Sequence, residues 1–242
     1  MATLVKDMTH GRETPLLLRF MLPMLLGNLF QQVYNLADSI IVGQHEGANA
    51  LGSIGCTGSI TFLFFSFCNG LSMGAGILIA QYFGSGRGDK VKQTLANAFY
   101  IQMVSGVLLS IIGYLSARPI LTLLKTPAGQ IDGATTYLEI VCLGTLAVSL
   151  YNYAAQTMRA LGDSRTPLIF LIVACLINVF LDLLLVVGLN MGVMGAALAT
   201  VLSQCISAVC SLLYGFWKNP YFKLKREHLR FDREISAKCF QI

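Results

Sequence analysis

Charge is what this chain has least of. Lys, Arg, Asp and Glu make up 12% of its 242 residues, while 55% are hydrophobic. A soluble domain carries roughly 25% charged residues, so a water-soluble globule is excluded. The mean hydropathy of +0.66 makes this an integral membrane protein. The net charge of +5 is no nucleic-acid footprint, because the Lys and Arg residues fall between apolar runs and after the last one. No two of the 7 Cys form a CxxC, and most lie inside apolar segments. There Cys packs as a small hydrophobe, so neither a disulfide framework nor a Cys metal site is expected. The N-terminal stretch MATLVKDMTHGRETPLL lacks a short apolar core with a small-residue cleavage site, so no removable signal peptide is read from it.

A membrane span needs about 20 apolar residues. Six runs qualify, at about 16–42, 51–83, 94–115, 136–158, 168–189 and 193–216. Pro23 and Gly27 are expected bend points of the first, and CNGLSMGAG is expected to loosen or tilt the second. Basic residues alternate along the connections. The N-terminal tail holds Lys6 and Arg12, the second loop Arg87, Lys90 and Lys92, and the fourth Arg159 and Arg165, and residues 218–238 are densely basic. The loop QHEGANA and the turn GLNMG hold none, and the third loop holds Arg118 and Lys125. The positive-inside rule then places both termini in the cytoplasm, with the chain multi-pass in the cell (inner) membrane. The expected fold is all-α, a six-transmembrane-helix bundle. Residues 1–15 read as a cytoplasmic tail, 16–217 as the six-helix lobe, and 218–242 as a cytoplasmic linker. REISAKCFQI reads as the first turns of a seventh helix that is cut off, so the chain is expected to be the front half of something larger.

Only two carboxylates sit well inside apolar runs, Asp38 and Asp182. On a helix, Asn28, Gln31, Asn35 and Asp38 fall within an arc of about 80°, with Tyr34 at its edge. An ionised Asp at mid-membrane costs roughly 2.5–3.5 kcal/mol on insertion scales, so it faces a bundle interior and marks function more often than not. The plainer alternative is an Asp that snorkels from a helix end. Asn178 stands one turn before Asp182, on the same face. Thr200, Gln204, Ser207 and Ser211 share a face of the last run. Gly192, Ala196, Ala199 and Ser203 form a small-residue stripe beside it, which favours close helix packing. The fifth and sixth runs are joined by a very short turn and must be antiparallel neighbours. Asp182 lies about seven residues before that turn, Thr200 about eight after it, and Asp38 about five from the same end of the first run. At 1.5 Å per residue these groups share one depth. Asp38, Asn178, Asp182 and Thr200 therefore make an oxygen-rich set suited to sodium, or to a proton shared by two acids. Interhelical glue is the competing role for the polar members. Ser149, Asn152, Tyr153 and Gln156 form another polar face, read as cavity lining or as glue.

QQVYNLADSIIVG, GLSMGAGILIAQYFGSGRGDKVKQ and MRALGDSRTP, in this order, resemble the multidrug and toxic compound extrusion (MATE) transporters. The resemblance covers nearly the whole chain. It implies one lobe of a twelve-helix, two-lobe transporter with a cleft between the lobes. It implies a secondary active antiporter that exports organic, often cationic, compounds in exchange for protons or sodium, and no enzyme or cofactor. In members with an acidic site in the N-terminal lobe, two Asp, an Asn and a Thr couple the ion. Here they match Asp38, Asp182, Asn178 and Thr200, and Tyr34 also matches. Gln31, Tyr34, Asn35, Asn152 and Gln156 are then the expected substrate-cavity residues, with Pro23 as the helix bend. The expected partners are a small organic substrate, the bilayer and a missing C-terminal lobe. Two other readings stay open. A lipid-linked-sugar flippase of the same superfamily wants a basic cavity, yet the runs lack Lys and Arg in their interiors, Arg19 lying near an end. An intramembrane aspartyl protease wants a GxGD motif at its second acid, where this chain has NVFLD. The topology is checked by labelling with a membrane-impermeant thiol reagent. Gln44→Cys is expected to react from outside and Arg87→Cys only from inside.

Overall fold

The computed structural model describes residues 13–223, 228 and 231–241. Lys6, Arg12, Lys225, Arg226, Arg230 and Ile242 lie outside them. Long apolar runs with few breakers wind into α1 (Glu13–Glu46), α2 (Ala48–Gly84), α3 (Gly88–Leu123), α6 (Arg165–Asp182) and α7 (Gly192–Lys218). The fourth run is two helices, α4 (Ile131–Leu143) and α5 (Thr145–Ala160). Among the described residues α2, α3, α7 and the length Arg165–Gly188 are long and apolar enough to cross a membrane, and the bent pair α4–α5 makes a fifth span. The chain is an all-α membrane protein. At 34 residues α1 reaches about 50 Å.

Three details differ from the pattern of apolar runs. The fourth run does not cross as one helix but bends by 44° at Gly144. A Cβ at Gly144 would lie 2.5 Å from Val201 Cγ2, so glycine admits α7 at the bend. The fifth run changes winding: directly after Asp182, Leu183–Gly188 forms a π-helical turn. CNGLSMGAG does not loosen α2, which runs unbroken from Ala48 to Gly84. Two of its three glycines serve close approach instead, Gly76 to Gln156 on α5 and Gly74 to the backbone carbonyl of Cys239.

Small residues set the packing. Gly192, Ala196, Ala199 and Ser203 are all buried, and α7 runs antiparallel beside α6. On α3, Gly106, Ser110 and Gly113 recur at the spacing that lets helices approach closely. Polar side chains tie the seams. Gln102 on α3 donates to Ser72 Oγ on α2 at 2.6 Å and accepts from Ser149 Oγ on α5 at 2.5 Å. The expected amphipathic helix near the C-terminus is α8 (Arg233–Gln241). It docks on α2 and α3, burying Ile235 and Cys239, and Asn97 Oδ1 on α3 accepts from the Asp232 amide at 2.9 Å.

The α3 seam gives a stability prediction. A Cβ on Gly106 would stand 3.1 Å from the Leu146 backbone, whereas Gly58 has nothing within 4 Å. Gly106→Val is expected to destabilise by about 1–3 kcal/mol relative to Gly58→Val, read by thermal unfolding in detergent.

Candidate functional site

The site is built from the ends of four helices. Asp38 lies about eight residues before Glu46 on α1, and Asp182 about six before Gly188 at the end of the π turn. Thr200 lies about eight residues into α7, and Tyr137 about six into α4. Each is therefore about 9–12 Å from the same end of the bundle. The packing of α1 against α6, the π turn and α7 brings the set together. On α1, Gly27 faces Leu168 and Leu171 of α6 on the side that carries Tyr34 and Asp38. A π turn at this point widens the helix directly above the acid, a departure that recurs at functional sites.

Both acids are inside the protein, with Asp38 7% and Asp182 0% exposed. The two carboxylates are neighbours whose charges act on each other. If both are ionised, neither can donate. Among the described residues Asp38 Oδ1, both Oδ atoms of Asp182, and the Nδ2 and Oδ1 of buried Asn178 have no hydrogen-bond partner. Leaving such groups unpaired costs about 1–3 kcal/mol each, and more for charges. A proton between the carboxylates turns one of them into a donor. A sodium ion would meet carboxylate, amide and hydroxyl oxygens, the hard donors that such a cation takes. The donor set therefore fits either ion. Tyr137 on α4 packs in one cluster with Val42, Val186 and Ala196, one turn from the acids and Thr200.

The expected quartet Asp38, Asn178, Asp182 and Thr200 is thus buried, its two acids facing each other. The expected cavity residues do not form one group. Gln31 and Asn35 are exposed on α1 and Tyr34 is half-buried. Asn152 and Gln156 lie half-buried on α5, where Gln156 donates to Asn69 at 3.4 Å. Among the described residues no Cα of α1 comes within 8 Å of one in α5. The α5 face also divides, since Ser149 binds Gln102 and Tyr153 donates to the Leu95 carbonyl at 3.0 Å. These two are glue. Pro23 lies inside α1, which continues through it unbroken. Tyr137 was not singled out from the sequence, although the depth rule that joined the acids also reaches it.

The orphaned oxygens carry a prediction. In Asp38→Asn the new amide can donate to Asp182 without any ion. In sodium-free alkaline buffer this variant is expected to be more stable than the native chain by about 1–3 kcal/mol, read by thermal unfolding.

Comparison with known proteins agrees with this architecture. The MatE family model matches residues 23–184. The probable multidrug resistance protein YpnP of Bacillus subtilis (strain 168) is 35% identical over 212 residues, covering 86% of this chain and 47% of that protein. The probable multidrug resistance protein NorM of Thermotoga maritima is 28% identical over 215 residues, covering 87% of this chain and 46% of that protein. A solved MOP superfamily transporter from Pyrococcus furiosus shares the fold, with a TM-score of 0.90 at 22% identity, covering 96% of this chain and 51% of that one. The chain spans about half the length of the curated relatives it matches. With a family model matched across most of its helices and a helical lobe of the same fold, this chain belongs to the MatE family.

Proposed function

We propose that this chain is the N-terminal lobe of a secondary active antiporter that exports organic, often cationic, compounds in exchange for protons or sodium. The observation that carries this reading is the neighbouring pair Asp38–Asp182, buried and, among the described residues, without a basic partner and short of hydrogen-bond donors. An ion taken up here relieves the repulsion of the two acids and draws α1 toward α6 and α7. Ion release loosens that contact. Exposed Gln31 and Asn35, with half-buried Tyr34, stand on the same helix as Asp38, so movement of α1 changes the surface offered to a substrate. Pro23, which lacks an amide donor inside α1, is the point where the helix can bend. Asn152 and Gln156 extend the substrate-facing surface on α5.

The names of the relatives, probable multidrug resistance proteins, support drug-like organic substrates. The long apolar face that α1 exposes, including Leu22, Leu29, Val33 and Leu36, is what a second lobe and the bilayer would cover. The working unit is therefore two lobes with a cleft between them. The lobe sits in the inner membrane with both termini cytoplasmic, which places the α6–α7 turn outside.

The test is substrate efflux from vesicles, driven by a proton or sodium gradient, with this lobe joined to a second one. Asp38→Asn and Asp182→Asn are each expected to abolish coupled export while leaving folding intact. Asn178→Ala is expected to weaken sodium coupling by about tenfold, the worth of one bond to a charged group. It should affect proton coupling less, because a proton needs no cage of several oxygens. Normal export by both acid variants under either gradient would refute the assignment.

A further inference from the structure

Outward from the acid pair, toward the α6–α7 turn, the lobe changes character in two steps. The first step is one helical turn, about 6 Å. There Val42 follows Asp38 on α1, Val186 follows Asp182 in the π turn, and Ala196 precedes Thr200 on α7. All three are 0% exposed and belong to one apolar cluster. No polar group of these three side chains can carry water or an ion past them. The second step, another turn outward, is polar and joins the end of α1 to the α6–α7 turn. His45 Nε2 donates to Asn190 Oδ1 at 2.9 Å. The Glu46 carboxylate lies over Gly192, where a Cβ would stand 3.1 Å from Oε2. Asn190 and Gly192 have φ of 51° and 56°, left-handed values that suit these two residue types. Gly192 opens α7, so the carboxylate also meets the positive end of that helix.

We propose that Val42, Val186 and Ala196 are an apolar seal, and that His45 and Glu46 are the latch that keeps it shut by holding α1 against the α6–α7 turn. Apolar constrictions block ions by excluding water. The seal makes the acid pair a site with one door. An ion enters and leaves on the side of Tyr34 and Asn35, where α1 is open, and none passes straight through the lobe. Such a seal is what exchange requires, since a second door would let the gradient discharge without moving substrate. The role in ion traffic rests on the acid pair binding an ion. The closure itself does not, and it is measured separately.

The experiment labels Thr200→Cys in vesicles holding the full 242-residue chain, with the seven native cysteines replaced by serine or alanine. A membrane-impermeant cationic thiosulfonate is applied on the side from which Gln44→Cys reacts. Thr200→Cys is expected to react far more slowly than Gln44→Cys. Adding Val42→Ala and Val186→Ala together is expected to speed it several-fold and leave Gln44→Cys unchanged. Equal rates for Thr200→Cys and Gln44→Cys with both valines present would overturn the seal, as would no response to the alanine pair. Should the cysteine-free background not fold, a second measurement uses the native cysteines and dye-reported proton entry into vesicles. Val42→Ala with Val186→Ala is expected to raise the leak several-fold, and His45→Ala to raise it in the same direction. Leak rates equal to the native chain in all variants would overturn the proposal. The labelling outcome does not depend on ion binding, so failure of the acid-pair assignment shows in efflux and leaves this result standing.

Discussion

Two carboxylates facing each other in an apolar interior cannot both stay charged and unpaired. That constraint organises the lobe around Asp38 and Asp182. Most buried acids in proteins have an Arg, a Lys or several backbone amides to hold them. Here, among the described residues, the oxygens of the pair are short of donors, and the amide of Asn178 one turn before Asp182 is unpaired as well. The arrangement tolerates this cost only if something else arrives. A proton and a sodium ion both fit the donor set, and neither belongs permanently to the chain. A site that is satisfied only when loaded is what the proposed ion coupling needs.

The surroundings convert that local need into geometry. The small-residue stripe of α7 and the π turn after Asp182 let α6 and α7 approach closely, with Gly195 against the backbone of Leu185. The interior polar tie through Gln102, Ser72 and Ser149 makes α2, α3 and α5 one block. By contrast α1 exposes much of its length and meets the bundle mainly through α6, with smaller contacts to α2 and α7. The helix that carries one acid is thus the least constrained of the spanning helices, while α7, which carries Thr200, is packed against α4, α5 and α6. A change in the charge of the pair therefore acts on α1 first.

Much of this was legible in the residues, for reasons that lie in helix periodicity and depth. Asp38, Asp182 and Thr200 could be matched because each is counted from the same end of the bundle at a constant rise. The stripe Gly192–Ala196–Ala199–Ser203 announced close packing without reference to its partner. What escaped were features that depend on a neighbour. At Gly144 the bend leaves no room for a Cβ beside Val201, and α4 and α5 read as one apolar run without that knowledge. The π turn lies in LLLVVG, a run with no polar or proline marker. Ser149 and Tyr153 share a face with Asn152 and Gln156, but their bonds go to Gln102 and Leu95, on another helix. Tyr137 lies in α4, whose own acids, Asp132 and Glu139, do not join the set, so nothing local marks it.

The shared ion is most directly observed by infrared difference spectroscopy of the purified chain, recorded as sodium is added at constant pH. A protonated-carboxyl band that fades as sodium binds, with release of a proton to the medium, is the expected result. The same band should be missing from Asp182→Asn. Two free carboxylate signals that do not respond to sodium, with no protonated band at any sodium concentration, would contradict a proton or cation held between Asp38 and Asp182.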